Sequence, residues 1–92
     1  MGHTSADNLK DIAEVLREIR AWPGIKEKGI GIFYLKSIPF LHFHDKDGKR
    51  WADVKTKDGW GAPLNLPFDP GLSQKADFLK KAESRFKALS RK

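Results

Sequence analysis

The stretch Pro39-Phe40-Leu41-His42-Phe43-His44-Asp45-Lys46-Asp47-Gly48-Lys49-Arg50-Trp51-Ala52-Asp53-Val54 decides the fold. Two alternating segments meet at Asp47-Gly48, the dipeptide suited to a two-residue type I′ turn, and together they predict a β-hairpin. With that turn, pairing runs outward from Lys46 and Lys49, setting His44 opposite Trp51, Phe43 opposite Ala52, His42 opposite Asp53 and Leu41 opposite Val54. Strand side chains alternate, so Leu41, Phe43, Ala52 and Val54 share one face. Phe40, His42, His44, Trp51, Asp53 and Lys55 share the other, and that second set is the one cluster in the chain suited to chemistry.

Upstream of the hairpin, residues 1–4 read as a frayed end and residues 5–21 as an amphipathic helix. Its stripe is Leu9, Ile12, Ala13, Leu16 and Ile19, with Ser5 or Asp7 as N-cap. Trp22-Pro23-Gly24 stops it, and Trp22 is expected to fold back onto the core. Residues 26–29 read as a charged connection and residues 29–35 as an apolar strand. Gly29 and Gly31 lack the third glycine and following helix of a phosphate loop, so they signal close packing or a bulge. For a two-residue turn at residues 36–38, Phe33 and Leu35 fall on the His42 face, and Ile30, Ile32 and Tyr34 on the Leu41 face.

Downstream, Asp58-Gly59 is positioned to fold residues 60–66 back as a short fourth strand, which Pro63 and Pro67 restrict to an edge. Residues 60–71 otherwise read as a loop draped over the sheet and anchored by Leu64, Leu66 and Phe68. A second helix begins near Ser73, or at Pro70 with Asp69 as cap, and runs to Leu89 with the stripe Ala76, Leu79, Ala82, Phe86 and Leu89. The expected architecture is one α+β two-layer domain: an N-terminal helix, an antiparallel meander of three to four strands over residues 29–66, and a C-terminal helix over 70–90.

Ninety-two residues suffice for one core and exclude multi-domain mechanisms. No apolar run approaches the roughly 18 residues of a membrane span, and the N-terminus lacks a basic stretch followed by an apolar one, so a cytoplasmic chain is expected. Zero cysteines exclude disulfides, thiolate nucleophiles and Cys-based zinc sites. The net charge of +6 is uneven: residues 1–47 balance seven Lys/Arg against seven Asp/Glu, whereas residues 48–92 carry eleven against five. Lys80, Lys81, Arg85 and Lys87 lead that excess, which suits either a solvated helix face or a salt-sensitive nucleic-acid surface.

In Phe40-Leu41-His42-Phe43-His44 followed by Ala52-Asp53-Val54, the chain resembles a group of small uncharacterised prokaryotic proteins in which an N-terminal helix precedes a His-x-His strand. The resemblance spans roughly residues 30–90 and implies that the hairpin matters; it implies no activity.

Three readings follow for the His42 face. The leading one is a non-catalytic module that binds a ligand, a protein partner or a second copy through Phe40, His42, His44, Trp51 and Asp53, with no cofactor. Set against any such role, a purely structural reading has His42 hydrogen-bond Asp53 and His44 stack on Trp51 as ordinary cross-strand pairs. The second is metal-dependent or acid–base chemistry at His42 and His44, for which sequence shows no complete ligand set and weak metal binding is expected. The third is nucleic-acid binding through the basic C-terminal half, without the strand motif of RNA-binding sheets. No serine or threonine sits in an activated glycine-flanked turn, which argues against nucleophilic catalysis.

Overall fold

The computed structural model describes residues 4–90. A 3₁₀ helix at Asp7–Ile12 leads into α1, Ala13–Arg20. Six strands follow: β1 (Ile25–Gly29), β2 (Ile32–Leu35), β3 (Ile38–Lys46), β4 (Lys49–Thr56), β5 (Gly59–Trp60) and β6 (Leu64–Asn65). The last element is α2, Leu72–Ser90. The strands pair antiparallel in the order β1-β2-β3-β4, with β5 and β6 successively on the outer edge of β4. This is the expected α+β architecture with a wider sheet. Among the described residues, no helix is long and apolar enough to cross a membrane.

The β3–β4 hairpin has the predicted register, from Lys46 opposite Lys49 out to Leu41 opposite Val54. Asp47 and Gly48 stand at φ 53° and 79°, the left-handed pair that a type I′ turn requires. A Cβ built on Gly48 meets nothing within 4 Å, so Gly48→Val carries backbone strain without a clash. Its expected cost is about 1–2 kcal/mol, read as a lower urea midpoint at unchanged slope.

Several expectations are corrected. Thr4 is buried and its N–H donates to the Phe43 carbonyl at 3.1 Å, so the chain is anchored there; residues 1–3 of the expected frayed end lie outside the described residues. The N-terminal helix begins as 3₁₀, and neither Ser5 nor Asp7 caps it through its side chain.

Residues 26–29 belong to β1, an edge strand whose exposed Lys26 and Lys28 make it read as a connection. The glycine pair shows the close packing and the bulge expected of it: a Cβ at Gly31, φ 74°, would lie 2.6 Å from Leu9 Cδ1, and the β1–β2 register shifts between Glu27 and Gly29, with Ile30 and Gly31 forming the turn. The Glu27 carboxylate accepts the Gly31 N–H at 3.0 Å and the Arg20 guanidinium, tying that turn to α1.

Another correction concerns the faces. The β2–β3 turn has the expected two residues, Lys36 and Ser37, but pairing jumps from Tyr34–Pro39 to Phe33–Leu41. Phe40 is the extra residue of a bulge, and every pair beyond it is shifted by one, exchanging the faces. Phe33 and Leu35 therefore lie in the core, Ile32 sits opposite His42, and Phe40 is itself buried beside Leu41. Finally, Ala76 is exposed on α2 and Phe78 takes the core position instead.

One core forms between the sheet and both helices. Phe43 stacks on Phe78 with ring centroids 5.7 Å apart, Phe40 meets Phe86 edge-on at 6.2 Å, and Trp22 packs on Phe86 at 5.1 Å. The helices thus cover the Leu41-Phe43-Ala52-Val54 face, a choice that the hairpin register alone leaves open. On the opposite face Ile32, Tyr34, His42, His44, Trp51 and Asp53 are all part-exposed.

Arg50 joins the layers. Its side chain is fully buried, and its five N–H donors are all used at 2.7–2.9 Å. Nε donates to the Leu66 carbonyl, Nη1 to the Asn8 carbonyl and Asp11 Oδ1, and Nη2 to Asp11 Oδ2 and the Pro67 carbonyl. The guanidinium also lies over the Phe68 ring at 4.3 Å. Asp11 completes the cluster by accepting the Asp69 N–H at 2.7 Å.

Candidate functional site

The open face of the hairpin is built by register. His42 and His44 are two apart on β3, and Trp51 and Asp53 two apart on β4, so all four project the same way from rigidly paired backbone. The His42 and His44 rings meet edge-on, 4.5 Å between centroids at 84°. Trp51 stacks on His44 at 5.7 Å and 29°, the cross-strand pair expected from sequence.

The carboxylate of Asp53 is placed differently. Although Asp53 sits directly opposite His42, its Oδ2 lies 3.1 Å from His44 Nε2, on the diagonal. A carboxylate only accepts, so this contact places a proton on His44 Nε2 and orients the ring. His42 turns its edge toward Trp60, at 4.7 Å between centroids and 76°. Trp60 is thus a member of the site that the register of β3 and β4 alone does not provide. Its signal was the Asp58-Gly59 turn, because Lys55 pairs with Trp60 across β4 and β5 and brings the indole over this face. Lys55 Nζ caps the outer side of that indole, 4.7 Å from the ring centroid.

Phe40 leaves the candidate set: the bulge turns it into the core, where it is 1% exposed. His42, His44 and Asp53 remain together, with one ligand-type atom of each lying within 4.8 Å of the others. All three are part-exposed, so the group is reachable from solvent.

The basic residues of α2 are engaged in different ways. Lys81 pairs with Asp77 at 3.0 Å and Lys87 with Glu83 at 3.7 Å, each one helical turn apart. Arg85 turns inward, its Nη1 donating to the Val54 carbonyl at 2.9 Å. Lys80 is exposed. An apolar hollow of about 390 Å³ lies elsewhere, floored by Leu35, Pro39, Phe40 and Leu89, and contains neither imidazole nor carboxylate.

No protein-family model, curated protein or solved structure matches this chain.

Proposed function

We propose that the chain is a small cytoplasmic binding module without catalysis of its own, which takes its ligand on the open sheet face around His42, His44, Trp51, Asp53 and Trp60. The observation that carries this reading is the gathering of two indoles, two imidazoles and a carboxylate on the face that the helices leave part-exposed. Packing supplies the core from the other face, so these residues are not required to close it. Aromatic rings with a few oriented polar groups are the usual furniture of a ligand site. The nucleic-acid reading is weaker because Lys81 and Lys87 are paired and Arg85 is directed inward.

An NMR titration of the labelled protein with a panel of aromatic and anionic fragments tests the proposal. Shifts are expected at the Trp51 and Trp60 indole N–H signals and along β3 and β4, and Trp60→Ala should abolish them while moving the thermal midpoint little, since Trp60 is 47% exposed. Shifts confined to α2 or to the apolar hollow would assign binding elsewhere.

A further inference from the structure

We infer that His42, His44 and Asp53 form a site for a divalent transition ion of the zinc, cobalt or nickel class. The inference rests on the binding reading above and supplies that face with a first ligand. Two imidazole nitrogens and a carboxylate oxygen are a borderline donor set, suited to these ions and unsuited to magnesium or calcium, which take oxygen ligands.

Spacing supports the assignment. Zinc lies about 2.0–2.1 Å from nitrogen and carboxylate oxygen, so neighbouring tetrahedral ligands are about 3.3 Å apart. His44 Nε2 and Asp53 Oδ2 are 3.1 Å apart, already at that separation, and one ligand-type atom from each of His42, His44 and Asp53 lies within 4.8 Å of the others. Bringing the three donors to ligand spacing calls on the side-chain torsions of His42, whose ring meets His44 and Trp60.

The surroundings favour a cation at this point. Asp53 supplies a formal negative charge, and the neighbouring ammonium of Lys55 is drawn over the Trp60 ring. Trp51 stacks on His44 and Trp60 meets His42 edge to face, so an indole flanks each imidazole. On binding, the ion replaces the proton that His44 Nε2 directs at Asp53; that proton moves to the other ring nitrogen or to solvent. Three protein donors leave a fourth position for water or an exchangeable ligand, as in zinc sites that act on something.

Calorimetric titration of zinc chloride and cobalt chloride into the full chain decides the matter, carried out in a His3→Ala background so that the third histidine of the sequence contributes no heat. One ion per chain is expected, with quenching or shift of the tryptophan emission and, for cobalt, the visible bands of a four- or five-coordinate site. Changes to residues merely supporting a metal ligand cost about 10- to 100-fold in affinity, so His42→Ala and His44→Ala should each cost at least about 100-fold. Asp53→Asn, which preserves shape, should cost about 10-fold or more. Circular dichroism of each variant establishes that it is folded before its titration is interpreted. Zinc affinity that survives His44→Ala or Asp53→Asn, or the absence of one-to-one binding in the folded parent, overturns the inference. If zinc is silent while the fragment titration still moves the Trp51 and Trp60 signals, the metal site falls and the binding face stands; if both are silent, both fall.

Discussion

Arg50→Met lowers the unfolding free energy by about 3 kcal/mol, measured by urea denaturation, although the residue lies outside every hydrophobic stripe in the sequence. The substitution removes all five donors and leaves the carbonyls of Asn8, Leu66 and Pro67, together with the Asp11 carboxylate, to find new partners. Removing one partner of a buried ion pair costs about 3–5 kcal/mol. The lower end applies because the Asp11 side chain is 23% exposed and water reaches it. Arg50→Lys keeps the charge but presents a point ammonium with three donors in place of a planar fork with five, so it recovers only part of the loss.

The same cluster sets the acid limb. Hydrogen bonding from Arg50 is the first cause that holds the Asp11 carboxyl below its ordinary value, with the Asp69 N–H adding to it and burial opposing. A carboxyl whose folded pKa is depressed stabilises the fold above its unfolded value, about 3.9, and that contribution is lost as pH falls from there through the folded pKa. Unfolding measured from pH 6 down to pH 2 should therefore steepen below about pH 4 in the parent chain, and less so in Asp11→Asn.

Phe40→Ala is expected to cost about 3–5 kcal/mol, in the range of large-to-small changes of buried aromatics. Phe40 is 1% exposed and lies edge-on to Phe86, so truncation opens a cavity between the sheet and α2. Thermal or urea unfolding measures the loss. In the folded fraction, zinc binding and the fragment shifts at Trp51 and Trp60 should remain at parent levels, because Phe40 faces away from His42. A loss of binding with little loss of stability would return Phe40 to the open face.

Phe40 also marks where the sequence stops being legible. The β3–β4 register, the type I′ turn, the grouping of Leu41, Phe43, Ala52 and Val54 on one face, the stacked His44–Trp51 pair and the fold-back of Trp22 are all readable, because each depends on local turn chemistry or a period of two. The same logic placed a two-residue turn within residues 36–38, yet a single bulged residue beyond it exchanged the faces of β2. Nothing in the composition near Phe40 announces a bulge. Strand β1 was hidden for another reason: its alternation is carried by lysines that protect an edge, a pattern shared with solvated loops.

The site was legible to the extent that it is local. His42, His44, Trp51 and Asp53 come together through one hairpin, whereas the choice of His44 over His42 by Asp53 depends on side-chain torsions and strand twist. Trp60 arrives by a second turn whose strand breaks after two residues. Arg50 was invisible as an anchor because its partners are mostly backbone carbonyls, which every residue possesses.

The Arg50 cluster also orders events in time. The β3–β4 ladder closes over a two-residue turn, whereas the bonds of Arg50 span 42 residues to Asn8, 39 to Asp11 and 16 to Leu66. Loop-closure entropy is lost before such distant contacts return anything, so the hairpin pairs first and the N-terminal and Leu66 segments dock onto it late. Interactions absent from the rate-limiting barrier act on the reverse rate: the guanidinium is a latch on unfolding, and its loss shortens the lifetime of the native state while refolding proceeds nearly as before.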